Sequence, residues 1–483
     1  MDAQMGATAA LSTFAAGVRY EDLPVRVVED TKRIIADTLA CAVGGTLLDA
    51  GRMVGEAASQ IGGGPKEATV LGSGRKVSAA AAAFANSALA NALDADETLF
   101  NSSHHACCTV PSALALAEAL GLSGKELITA VAVGYEIGAR VCVSLTIARV
   151  NEKGDIERFP TTGLGWAVFA AAAAASKALG LAPAQFATAL GIAGWTSPIS
   201  SHLKWDHSGE LHMMKNSPHA FMGFSGVTAA RLSALGFTGE PAMLDGDAGF
   251  WRLVGSPDCD WNVLCGGLGE NWWISRAAIK PYATNRLTHH AISLFRALQS
   301  ENDLGPNEIE KIEIKSFARV ASAFLSGNLA PKNPVEAQFS LPFAIAASAY
   351  GHELGPQWCQ PAQLSDPRLR AFAGRVSVST DPEIQKTMAE DLLRTRRYPR
   401  VPTMVTIFAR GQSFTRSANY APGDPDTEAT RLTDADLERK FHLFTDNVLG
   451  EELSASAWLK LSMLEQWPEV SVVTAALSAR SGD

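Results

Sequence analysis

Four short stretches of this chain hold the side chains able to do chemistry. In NALDADETLFNSSHHACC (91–108) stand Asp94, Asp96, Glu97, Thr98, His104 and His105. HLKWDHSGELHMMKNSPH (202–219) holds four histidines and two lysines, among them Lys215. SRAAIKPYATNRLTHH (275–290) carries Lys280, Tyr282 and Arg286, and RFPTTG (158–163) includes Phe159. Histidine, aspartate, threonine and lysine together are equipment for binding carboxylates and moving protons. Each stretch also has a plainer reading. Asp94 and Asp96 follow the helical AAAAAFANSALANAL and mark its end, 202–219 reads as a polar surface loop, and RFPTTG reads as a turn.

Other chemistries find little support. Neither H-E-x-x-H nor a Cys/His quartet occurs, and His202, His207 and His212, spaced by five, fall on different sides of a helix, so no metal site is expected. A P-loop and a dinucleotide fingerprint are both absent, as is the G-x-S-x-G elbow of α/β-hydrolases, so neither nucleotide use nor an α/β-hydrolase is expected.

The elements that must position these groups are legible from periodicity and punctuation. Alanine- and leucine-rich segments near 22–45, 78–95, 108–120, 124–148, 163–180, 183–193, 217–235 and 286–299 are of helical length and bounded by Gly or Pro. Ser123 followed by Glu126 has the capping-box spacing. So many alanines at facing positions imply close helix–helix approach. Strand alternation comes later, in EIEKIEIKSF (308–317), RVSVSTD (375–381) and TMVTIFARGQSF (403–414). The expected fold is mainly α with an α+β second domain: a large helical domain over 1–274, completed by about 416–483, with a smaller α+β domain at 275–415.

With 483 residues, 47% of them hydrophobic, the chain has ample material for a buried core. A net charge of −9 without any Lys/Arg-rich run excludes a nucleic-acid surface and favours a small-molecule partner. Seven cysteines, an odd number without C-x-x-C pairs, suggest reduced thiols and a cytoplasmic protein. MDAQMGATAALSTFAAGVRYEDLP has no basic stretch before its apolar run and reads as the first helix of the fold. The longest apolar run, TGLGWAVFAAAAAASKALGLA, is alanine-dominated and broken by Ser176 and Lys177, so an interior helix is expected rather than a membrane span.

The order of several motifs resembles the MmgE/PrpD family, which includes 2-methylcitrate dehydratase, cis-aconitate decarboxylase and iminodisuccinate epimerase. The resemblance rests on DTLACAVGG (37–45), NALDADET followed by a histidine, GYEIGARV (134–141), AAAAASKALGL (171–181), LGIAG (190–194), Lys215 followed by GVTAARLSALGFTGEP and LDGDAGF, KPYATNRLTHHAI (280–292) and AQFSLPFAIA (337–346). It implies a helical domain and an α+β lid with the active site between them, no cofactor, and a homodimer. It further implies that Asp94, Thr98 and His104, ten residues after Asp94, line the site. Lys215, eleven residues before Gly226, and Lys280 would join them, with Arg286 adding positive charge for substrate carboxylates. His104 would then be a general acid or base, Asp94 its orienting partner, and Thr98 a hydrogen-bonding contact.

Two departures stand out. Phe159 occupies the place where many members carry a second histidine, and PYATN, with Tyr282, replaces the usual stretch after the lysine. His105 or a histidine of 202–219 would compensate for Phe159, or else the substrate has an apolar part there; Phe159, His105 and Tyr282 are therefore grouped with the substrate contacts. The expectation is a cofactor-independent lyase, dehydratase or decarboxylase, acting on a small carboxylic acid. An isomerase using the same proton abstraction is the alternative, and a catalytically silent ligand-binding protein is a second.

Overall fold

The computed structural model describes residues 6–101, 103–159, 165–198 and 210–478. Its first part is built of helices, among them Ala7–Gly17, Val25–Gly45, Ala79–Asn91, Ala106–Leu120, Gly124–Ser144, Ala167–Ala178, Pro183–Trp195 and Pro218–Ala234. Their small residues decide how they pack. A Cβ added to Gly138 would lie 2.4 Å from the Ala170 Cβ, one on Gly134 would lie 2.6 Å from that of Ala174, and one on Gly226 would lie 2.5 Å from that of Ala171. Gly124–Ser144, Ala167–Ala178 and Pro218–Ala234 therefore meet nearly backbone to backbone, closer than helices carrying larger side chains can come.

The apolar run around 162–182 is such an interior helix: Ala167–Ala178 is buried at every position except Lys177. Gly124–Ser144 is long and apolar enough to cross a membrane, yet its apolar window is wholly covered by the rest of the protein. It opens with the capping box, Ser123 Oγ accepting from the Glu126 amide at 3.3 Å while Glu126 accepts from the Ser123 amide at 2.7 Å.

The α+β part centres on a four-stranded sheet in the order 412–418, 403–409, 309–316, 376–380. Ile309–Ser316 pairs antiparallel with Thr403–Ala409 and parallel with Val376–Thr380. TMVTIFARGQSF is not one strand but a hairpin: Arg410 and Gly411 take φ of 55° and 69°, the two-residue reversal that suits strand twist. Thr403–Ala409 alternates buried and half-buried residues, and the helix His289–Glu301 packs against it. Asp49–Ile61, Pro382–Thr395 and the small hairpin Ala68–Val77 also form, where periodicity predicts no element.

The chain then returns to the helical part, where Asp434–Leu449 packs along Val25–Gly45. All seven cysteines are free.

Candidate active site

The site grows from the exit of the helix Ala79–Asn91. Asp94 turns the chain with φ of 49°, a left-handed conformation that aspartate tolerates better than most residues. Thr98–Leu99 then pairs antiparallel with Ala277–Ala278, Thr98 opposite Ala278. That short ladder brings Lys280 under the loop, where its Nζ donates to Asp94 Oδ1 at 2.8 Å and to the Asp94 carbonyl at 2.5 Å. Past Leu99 the chain reverses through Phe100 and Asn101, both left-handed, and closes where the amides of Leu99 and Ser103 exchange hydrogen bonds. His104 is thereby folded back onto the two aspartates.

Its Nδ1 lies 3.0 Å from Asp96 Oδ2, and its Nε2 lies 3.7 Å from Asp94 Oδ1. Asn91 Nδ2 holds the other oxygen of Asp96 at 2.7 Å. On the far side of Asp94, Lys215 Nζ donates to Oδ2 at 3.3 Å and sits 4.3 Å over the Phe339 ring. Lys215 belongs to the turn Met213–Asn216; the next residue, Asn216, donates to the Ala92 carbonyl at 3.1 Å and to Gln338 at 2.7 Å, so the lysine and the aspartate loop are tied together.

Burial pushes both aspartates upward, and their neighbours outweigh it. Lys215, Lys280 and His104 bring Asp94 below its ordinary range, and His104 with Lys280 holds Asp96 well below it. Both are carboxylates at neutral pH. Burial pulls the Lys215 ammonium down; Asp94 opposes this and Lys280 adds to it, leaving Lys215 more ready to release a proton than a surface lysine.

The array faces a cavity of about 470 Å³, lined by His104, Thr98 and Lys215 on the helical side and by Phe317, Leu325 and Phe339 on the other. Arg158, Arg286 and Arg319 also reach its wall, as does Asp155. The Thr98 hydroxyl makes no hydrogen bond among the described residues, so its donor and acceptor are uncommitted. Arg286 borders the cavity with its guanidinium engaged: it donates to Asp424 at 2.5 Å, to the Pro422 carbonyl at 3.0 Å and to Asn101 at 3.3 Å.

The remaining expected site residues are not brought to this cavity. Lys280 is fully buried behind Asp94. His105 points into the core, its ring 5.4 Å from that of Tyr135, while its backbone amide donates to Glu97; burial pushes its imidazole down to about 3. Tyr282 bonds Ser293 at 3.3 Å and packs against His289. Phe159 lies under the Arg149 guanidinium, its amide bonded to the Ile147 carbonyl. Residues 160–163 of RFPTTG, with His202 and His207, lie outside the described residues.

Two residues join the array that the sequence does not single out as site residues. Asp96 stands two residues from Asp94 in the same loop, and that closeness in sequence was the available signal. His219, in the first turn of Pro218–Ala234, places its ring 6.0 Å from that of His104; buried and without a hydrogen bond among the described residues, it is pushed down to about 3. The sequence offers it only as one of the four histidines of 202–219 that would compensate for Phe159.

Ligand atoms of Asp94, Asp96 and His104 lie within 4.8 Å of one another. A divalent ion there would compete with the two ammonium groups already on Asp94.

The chain is similar to proteins of known activity. Human (Homo sapiens) cis-aconitate decarboxylase is 26% identical over 489 residues, covering 98% of this chain and 95% of that protein. Cis-aconitate decarboxylase of Aspergillus terreus (strain NIH 2624 / FGSC A1156) is 26% identical over 386 residues, 76% of this chain and 75% of that protein. Residues 9–261, which hold the loop of Asp94, Asp96 and His104 and also Lys215, match the MmgE/PrpD N-terminal domain, residues 282–464 match the MmgE/PrpD C-terminal domain, and the chain belongs to the MmgE/PrpD family.

Proposed function

We propose that this protein is a cofactor-independent lyase that removes carbon dioxide from a small di- or tricarboxylate. The observation that carries the reading is the Lys215–Asp94–His104 array at the cavity wall, with the His104 Nδ1 held by Asp96. Lys215, with Arg158 and Arg319 on the same cavity, supplies charge for more than one carboxylate. When the C–C bond to the departing carboxylate breaks, its electron pair stays on the carbon chain and is delocalised toward a neighbouring carboxylate. Lys215 lowers the energy of that developing charge, and His104, fixed by Asp96, delivers the proton that quenches it. Thr98 orients the substrate. Solvent returns the proton to His104.

Decarboxylation is placed ahead of dehydration because both cited relatives are named decarboxylases. Dehydration and epimerisation need the same proton handling and differ in what leaves. A panel of di- and tricarboxylates incubated in deuterated water separates them. Release of carbon dioxide with deuterium in the product supports this reading; loss of water points to a dehydratase, and deuterium at a retained stereocentre to an isomerase. Binding without any turnover would leave a silent ligand-binding protein.

A homodimer belongs to the same proposal. Phe221 and Phe224 stand exposed on Pro218–Ala234, and light scattering on the purified protein reads the assembly directly.

A further inference from the structure

Asp37 opens the motif DTLACAVGG, and nothing in the site takes it up. It lies fully buried in the helix Val25–Gly45. Its carboxylate accepts from Lys440 Nζ, which comes from the helix Asp434–Leu449 and is also buried. The same Nζ donates to the Ala95 carbonyl at 2.8 Å. Ala95 is the residue between Asp94 and Asp96.

Two consecutive carbonyls of this loop are thus held by buried ammonium groups, Asp94 by Lys280 and Ala95 by Lys440. Earlier in the same loop, Ala92 accepts from both Asn216 and Gln338, each at 3.1 Å. Asp94 is left-handed, a backbone state that persists where its surroundings over-determine it. Rotation of the 95–96 peptide would re-aim the Asp96 carboxylate, and with it the partner that fixes His104 Nδ1. Neither Asp37 nor Lys440 lines the cavity.

We propose that Lys440 is a positioning residue. With Asp37 as its counter-charge, it pins the Ala95 carbonyl and so fixes how Asp94 and Asp96 grip the two nitrogens of His104. The helix Asp434–Leu449 therefore completes the acid/base array without touching substrate. The proposal rests on the reading of His104 as the proton donor. A plain staple between two helices is the competing role, and removing both charges together distinguishes the two, because swapping a buried ion pair for neutral groups of like size often leaves stability unharmed.

The test uses the full chain carrying Asp37→Asn with Lys440→Met, read against wild type by melting temperature, by ¹⁵N resonances of the His104 ring and by turnover of cis-aconitate. Tricarballylate, an unreactive tricarboxylate, probes binding. The double variant should fold, bind tricarballylate within about threefold of wild type, and lose about 10- to 100-fold in kcat with KM little changed. Its His104 ¹⁵N shifts should move. A folded double variant with unchanged His104 resonances and unchanged kcat overturns the proposal. Should the Lys440→Met change prevent folding, Asp37→Asn with Lys440→Gln keeps a polar bridge between the helices, and the same His104 change is expected from it. If wild type neither turns over cis-aconitate nor binds tricarballylate, the functional reading fails, while the His104 resonances still decide the positioning role.

Discussion

Lys280 donates twice to Asp94, at 2.5 Å to the backbone carbonyl and at 2.8 Å to Oδ1, from a side chain with no solvent exposure. Lys215 reaches the other oxygen of the same carboxylate from the cavity side, at 3.3 Å. One aspartate thus separates a lysine that can meet substrate from one that cannot.

The two lysines should fail differently. Lys280→Met leaves Asp94 short of a buried partner, and breaking one side of such a pair costs about 3–5 kcal/mol. Thermal and urea unfolding of that variant should show the loss directly. Activity lost without loss of stability would place Lys280 at the substrate instead.

Lys215→Ala should keep the fold, because Lys280 still neutralises Asp94. Transition-state charge then goes unanswered, and kcat should drop about 100- to 1000-fold. Tricarballylate affinity, measured by calorimetry, should weaken as well. Wild-type affinity in this variant would remove Lys215 from the carboxylate site.

Asp96→Asn replaces an acceptor that holds His104 Nδ1 with a group that can also donate. The ring is then free to adopt the wrong tautomer, and kcat should fall about 100-fold or more. Steady-state kinetics at fixed pH reads it, and a loss confined to KM would assign Asp96 to binding.

Acid sensitivity should trace to the buried histidines. Burial pushes His105 and His219 down to about 3, with the nearby His104 adding to it. As pH falls below the ordinary 6.5, the unfolded chain takes up protons that these folded rings refuse. The stability each neutral ring contributes is therefore complete above 6.5 and is lost progressively toward pH 3, by about 1.4 kcal/mol per pH unit per ring. Asp94 and Asp96, held low, contribute stability that is present above about 3.9 and starts to be lost only below about pH 5, so between about pH 7 and 5 they add no slope. Urea unfolding of His105→Phe between about pH 7 and 5 should be flatter than wild type by about one ring's worth. Its turnover should fall far less than that of His104→Gln; equal losses would bring His105 back to the site.

The helices around the site were readable because alanine, glycine and capping signals are local. Ser123 and Glu126 form the expected box, and the apolar run at 162–182 holds an interior helix. Direction was not readable. His104 and His105 are adjacent in sequence, yet the first faces the cavity and the second the Tyr135 ring, because the reversal at Phe100 and Asn101 turns the chain just before them. Lys280 was found by resemblance, but its depth depends on a two-residue ladder, Thr98–Leu99 with Ala277–Ala278, too short to leave an alternating pattern. Asp37 and Lys440 stand far apart in the chain, and only packing of the last helices joins them.

The central claim is that His104, gripped by Asp94 and Asp96, supplies the proton that replaces departing carbon dioxide. Carboxyl-labelled ¹³C cis-aconitate, incubated in deuterated water with wild type and with His104→Gln, tests it most directly. Wild type should release labelled carbon dioxide and leave one deuterium in the product, while the folded variant should do neither. Undiminished release by His104→Gln would contradict the account.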